Sequence, residues 1–85
     1  MRIPVVTIAD ERRAARPPHA LADILWALAR PGDGIEHIHV APDVGSAVIT
    51  YFLRAGDDRS AIATARQVTD RAISHAPALH GWCRL

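Results

Sequence analysis

The chain has 85 residues, a length that fits one small domain and leaves too little for a second independent core. Hydrophobic residues make up 49% and charged residues 22%, which is typical of a globular protein and excludes a disordered tail. The net charge is only +1 and the arginines are spread along the chain, so the sequence lacks the basic patch that nucleic-acid backbones select.

The sequence predicts a cytoplasmic protein without export or membrane insertion. Cys83 is the single cysteine, so no intrachain disulfide can form. The apolar stretch "IPVVTIA" is shorter than the core of a signal peptide and has no small-residue cleavage site after it. No segment approaches the roughly 20 apolar residues of a membrane span.

The first half of the chain predicts a strand, then a helix. Residues 3–9 are rich in β-branched side chains, which favours a mostly buried strand. A helix is expected from about Pro18, because proline costs little in a first helical turn, and the "PGDG" of residues 31–34 should end it. Its apolar stripe is formed by Leu21, Ile24, Leu25 and Leu28.

A β-hairpin is predicted next, with strands at residues 35–41 and 46–55. The "PDVG" between them suits a four-residue turn, which would pair Ala41 with Ser46. Alternation along the strands then gives one face shared by the following residues: His37, His39, Val48, Thr50 and Phe52.

The last part of the chain predicts a second helix and a short strand. Asp57 or Asp58 would cap the helix, and Pro77 would end it. Its shallow buried stripe consists of Ala61, Ala65, Val68 and Ala72. The closing "LHGWCRL" alternates, so we expect Cys83 to face the helices and Trp82 to lie on the opposite side with His80 and Arg84.

This order of elements predicts an α+β fold over residues 1–85. Two βαβ crossovers joined by a hairpin give a ferredoxin-like βαββαβ sandwich, with a four-stranded antiparallel sheet in the order 4-1-3-2. Both helices would cover one face of the sheet. The other face would be left open.

The pair His37 and His39 is the weak candidate for a metal site. Two histidines fall short of the three or four protein ligands that zinc requires. With three strand spacings between the outer strands, Cys83 would lie roughly 14 Å away and on the other face. The alternative is that both imidazoles form the polar side of an edge strand. We predict no catalytic residues and no cofactor.

The open face is instead predicted to be an interface, because a sizeable apolar patch usually has a partner. Its expected residues are Trp82, Phe52, Val48, His37, His39 and Arg84. The first strand would add either Val6 with Ile8 or Ile3 with Val5, and the pattern does not decide between these pairs. A homodimer formed through this face or its edge follows as the expected assembly.

Residues 48–85, "VITYFLRAGDDRSAIATARQVTDRAISHAPALHGWCRL", resemble the C-terminal half of small uncharacterised actinobacterial proteins. The shared pattern is a hydrophobic strand, an acidic cap, an alanine-rich helix and a final segment represented here by Pro77, Leu79, Gly81 and Trp82. The exclusive use of arginine over lysine, with abundant alanine, also indicates a GC-rich genome. The resemblance implies the βαββαβ fold and brings no activity with it.

Three functional hypotheses remain open. The first is a non-catalytic cytoplasmic interaction module, an accessory or regulatory homodimer. The second is a small cofactor-free enzyme, similar to the monooxygenases and cyclases that enclose a pocket in this fold. The third is a histidine-based metal or small-ligand carrier. A cavity lined by Tyr51 and Trp26 would favour the enzyme, whereas a filled core would favour the interaction module.

Overall fold

The computed structural model describes residues 1–85 as an α+β fold with a four-stranded antiparallel sheet and two helices. Short 3₁₀ turns at Pro31–Asp33 and Pro77–Leu79 follow the two helices. The strands and helices are β1 (Val5–Asp10), α1 (Leu21–Leu28), β2 (Ile35–Asp43), β3 (Ser46–Leu53), α2 (Asp58–His75) and β4 (Trp82–Arg84).

The strand order is β2-β3-β1-β4, which is the predicted order 4-1-3-2 read from the other edge. Both helices contribute to one hydrophobic core on the same face of the sheet. In this core, Leu21 and Leu25 of α1 join Ala65 and Val68 of α2, all of them buried against the strands. Neither helix combines the length and the apolar character needed to cross a membrane.

The helix boundaries follow local chemistry. The prediction that an aspartate caps α2 is confirmed: the carboxylate of Asp57 accepts a hydrogen bond of 2.7 Å from the backbone N–H of Ser60. This bond is the main cause of the lowered pKa of Asp57. The predicted start of α1 is three residues too early, because Pro18 lies in a turn whose carbonyl accepts from the N–H of Leu21.

The hairpin register differs from the predicted one by two residues. Asp43, and not Ala41, pairs with Ser46, so the turn has only two residues, Val44 and Gly45. Gly45 has a φ of 79°, the left-handed conformation that allows so short a connection. Because a shift of two residues preserves the alternation, the predicted faces of both strands are nonetheless correct.

The segment that follows β1 is anchored to this turn. Gly45 accepts a backbone hydrogen bond from Asp10 and donates one of 2.7 Å to the carbonyl of Ala15. The Asp10 carboxylate accepts from the N–H groups of Ala14 and Ala15, which lowers its pKa. The tight hairpin therefore fixes the path of the chain towards α1.

The prediction for the last strand is wrong in its faces. Trp82 is 7% exposed and belongs to the core, whereas Cys83 is exposed on the side opposite the helices. The assumed alternation began at Leu79, but Leu79 ends a 3₁₀ turn and Gly81 has a φ of 86°, so the strand starts only at Trp82. The even spacing from Leu79 onwards therefore carries no information about the faces.

Arg84 changes place for the same reason. It lies on the helix side of β4, where its guanidinium donates two hydrogen bonds, of 2.7 and 3.2 Å, to the carboxylate of Asp70 on α2. This pairing raises the pKa of Arg84 above its usual value. Arg84 thus joins α2 to the sheet and is not a residue of the open face.

Candidate functional site

The candidate site is the face of the sheet that the helices leave uncovered, called the open face below. Register and alternation define its members in each strand. They are Val5, Thr7 and the buried Ala9 of β1, His37, His39, Ala41 and Asp43 of β2, Ser46, Val48, Thr50 and Phe52 of β3, and Cys83 of β4. The predicted residues His37, His39, Val48 and Phe52 are therefore brought together, whereas Trp82 and Arg84 are not.

The structure also shows which residues of the N-terminal segment lie on the open face. Val6 is buried under the helices together with Ile8, so Val5 lies on the open face. The pairing of β1 with β3 continues towards the N-terminus, where Arg2 forms a bridge with Leu53. Between these positions, alternation places Ile3 on the open face beside Phe52.

Four apolar side chains of this face are exposed to solvent. Ile3 is 55% exposed, Val5 59%, Val48 38% and the C-terminal Leu85 61%. The backbone N–H of Leu85 donates a hydrogen bond to the carbonyl of Thr7 in β1, so the pairing with β1 continues one residue past β4. Sequence reasoning missed Leu85 and Cys83 because it assigned both to the helix side. The breaks at Pro77 and Gly81 were the signal that could have corrected it.

Charge is nearly absent from the open face. Among the strand residues of this face, the only carboxylate is that of Asp43 at the hairpin end. The remaining polar groups are hydroxyls and the imidazoles of His37 and His39. Such a surface can be covered by another protein without desolvating buried charges.

The two histidines lie where the sequence predicted them, on the open side of an edge strand. His37 is directly opposite Phe52, and their ring centroids are 5.5 Å apart with the planes tilted by 51°. Cross-strand aromatic pairs of this kind stabilise a sheet modestly. No group of three or more His, Cys, Asp or Glu side chains in the structure is arranged to hold a metal ion.

The interior beneath the sheet is filled rather than hollow. Tyr51 is fully buried, and none of the cavities in the structure is lined by it. The hydroxyl of Thr69 donates to the carbonyl of Ala65 at 2.8 Å, so the Tyr51 hydroxyl is the donor in its 2.7 Å bond to Thr69. Trp26 is 41% exposed and borders only a surface depression.

Burial raises the pKa of Tyr51 to about 12. Because the pKa of Tyr51 is higher in the folded protein than in the unfolded chain, ionisation of Tyr51 leaves the free energy of unfolding unchanged below pH 10. It then lowers that free energy as the pH rises from 10 through 12. Tyr51 is the only tyrosine, so tyrosinate absorbance reports on it alone. We expect that absorbance to appear near pH 12 or together with unfolding in an alkaline titration. Ionisation of the folded protein at pH 10 would contradict the burial of Tyr51.

Comparisons of the chain with models of known protein families, with curated proteins and with solved structures gave no match. The open face and the filled interior are the features of the molecule that bear on its function.

Proposed function

We propose that this protein is a non-catalytic interaction module with a ferredoxin-like βαββαβ architecture, which forms a homodimer through the open face. We further propose a cytoplasmic location and an accessory or regulatory role. The observation that carries the proposal is the exposure of Ile3, Val5, Val48 and Leu85 on one nearly uncharged sheet surface. The element order and the strand order support the ferredoxin-like assignment.

A second copy of the chain is the occupant that this surface fits best. A two-fold interface brings the same patch of both copies together. Each side chain therefore faces the same residue, or a neighbouring residue of the patch, in the other copy. Apolar and hydroxyl side chains tolerate such contacts, whereas a patch rich in one charge would repel itself. The formal net charge of +1 adds little repulsion between whole molecules.

The strength of the dimer depends on how much apolar surface the open face buries. Burying roughly 500 Å² of apolar surface would contribute about 12 kcal/mol at 25 cal/mol per Å². Association costs of about 4–15 kcal/mol oppose this gain. Dimerisation in the micromolar range requires a net gain of about 8 kcal/mol, so it is the expected result when the association cost lies near the lower end of this range.

The filled core favours this proposal over the enzyme hypothesis. A ferredoxin-like enzyme would hold its substrate between the sheet and the helices, in a pocket that the sequence predicts to be lined by Tyr51 and Trp26. Tyr51 is instead fully buried and is hydrogen-bonded to Thr69. For a metal carrier, no third side chain is arranged with the two exposed histidines of β2 to hold a metal ion.

Substitution of Val48 by aspartate tests the dimer. Val48→Asp would place a carboxylate near the centre of the interface, where it would meet apolar surface, and should shift a dimer at about 100 µM to monomer. The control is Ala63→Asp on α2, because Ala63 is exposed on the side of the helix that faces away from the sheet. Light scattering gives the mass, and circular dichroism checks the fold. A wild-type monomer at this concentration would contradict the proposal.

The reactivity of Cys83 supplies a second test that needs no substitution. The thiol is exposed in a single chain and lies within the proposed interface. Maleimide should therefore modify Cys83 rapidly at nanomolar protein and at least about tenfold more slowly at 100 µM, as the dimer covers it. Rates that do not depend on protein concentration would show that the open face stays uncovered.

A further inference from the structure

A groove separate from the open face lies between the chain leading into α1 and the edge strand β2. Its volume is about 370 Å³, and it is lined by residues from Arg16 to Ala22 on one side and from His37 to Pro42 on the other. This volume is at the lower end of the range of small-molecule sites, which is roughly 300–1,000 Å³. It is large enough for one small organic molecule with a ring or a branched chain.

The groove has an apolar base. Pro17, Leu21 and Ile38 line it and are buried in the protein. The tight hairpin helps to hold this wall in place, because Gly45 fixes the preceding segment through Ala15. A ligand with an apolar body would therefore displace water from a preformed surface.

Among the residues that line the groove, every side chain with a hydrogen-bonding group belongs to an arginine or a histidine. Arg16, His19, His37 and His39 line it, and no aspartate or glutamate does. None of these four side chains takes part in a hydrogen bond or a salt bridge within the protein, so the guanidinium of Arg16 is available to a ligand. An arginine remains charged at all relevant pH values and binds carboxylates through two parallel N–H groups.

From this complementarity we propose that the groove binds a small organic carboxylate with an apolar body, such as an aromatic acid. The guanidinium of Arg16 binds the carboxylate, and the ring packs against Ala22 and Val40, apolar lining residues that keep accessible surface. This site needs only one copy of the chain, so it does not depend on the proposed dimer. His37 and His39 border the groove from the edge of β2, whereas their imidazoles lie on the open face.

Benzoate is a suitable probe. Benzamide, which is neutral, and benzylamine, which is positively charged, carry the same ring and serve as controls. When benzoate is titrated into the isotope-labelled protein, NMR should show saturable shifts in the backbone amide signals of Ala22, Ile38 and Val40. The two analogues should bind at least about tenfold more weakly, because they lack the carboxylate. Equal responses to all three ligands, or shifts that do not saturate, would overturn the proposal.

Two variants locate the site. Arg16→Gln should weaken benzoate binding at least about tenfold, whereas Arg59→Gln, which changes an exposed arginine on α2 remote from the groove, should leave it unchanged. Ala22→Leu keeps every donor but fills part of the groove, so it should also reduce binding while the amide spectrum remains folded. Unchanged affinity in Arg16→Gln would overturn the proposal.

Repeating the titration with Val48→Asp separates the two proposals. Benzoate binding that persists in this variant supports a site within one chain, whatever the outcome for the dimer. Loss of binding in a folded Val48→Asp monomer would overturn the claim that one chain is sufficient. Saturable shifts confined to Val5 and Thr50 would place benzoate on the open face and overturn the groove.

Discussion

Replacing Trp82 by alanine should lower the free energy of unfolding by about 3–5 kcal/mol, the usual cost of truncating a buried tryptophan. The indole is 7% exposed and belongs to the cluster that joins β4 to the helices. β4 has only three residues and pairs only with β1, so few hydrogen bonds would hold it in place once the indole is lost. We expect the C-terminal segment to detach from the sheet before or during unfolding.

Trp26→Ala is the matched control, because Trp26 is 41% exposed on α1 and alanine favours a helix. Its effect should stay within about 1 kcal/mol. Urea denaturation followed by circular dichroism measures both variants. A Trp82→Ala protein as stable as the wild type but converted from dimer to monomer would return Trp82 to the open face, where the alternation of the last strand had placed it.

Gly45→Ala should destabilise the protein by about 2–5 kcal/mol, for two additive reasons. Alanine at a φ of 79° costs about 1–2 kcal/mol, because its Cβ approaches the following carbonyl. That Cβ would also lie 2.5 Å from the carbonyl oxygen of Arg13 and 2.6 Å from its carbonyl carbon, a backbone contact that no rotamer change relieves. The loop from Asp10 to Ala15 would have to move and lose its hydrogen bonds to the turn.

Gly32→Ala provides the control for this substitution. Gly32 has no left-handed φ, and no atom lies within 4 Å of the position that its Cβ would take. We expect a change within about 0.5 kcal/mol. Thermal or urea unfolding of the two variants gives the comparison. If both glycines tolerate alanine equally well, the close approach of Arg13 to the hairpin is incorrect.

The amino-acid sequence determined the identity and order of the elements, because helices and strands bury side chains at different periods. The stripe at Ala61, Ala65, Val68 and Ala72 marked α2, and all four are buried. Alternation likewise placed His37 and His39 together on one side of β2. The order of these elements, with the right-handed crossover rule, was sufficient for the strand order of the sheet.

Register and the faces of the first and last strands were decided only by the tertiary structure. Alternation tells which residues share a face but not which of the two faces meets the helices. In β4 that choice is made by pairing with β1, where Trp82 lies opposite Asp10 and Cys83 opposite Ala9. In the hairpin, "PDVG" is compatible with both a two-residue and a four-residue turn.

The groove was equally invisible in the sequence, because its two walls are far apart along the chain. Arg16 and His19 precede α1, whereas His37 and His39 belong to β2, and no short motif connects them. Their approach depends on the packing of α1 against the sheet, which buries Leu21 and Ile38 in one core. Local periodicity thus determines the elements of this protein, whereas contacts between distant segments determine its surfaces, since only those contacts fix how the elements are oriented.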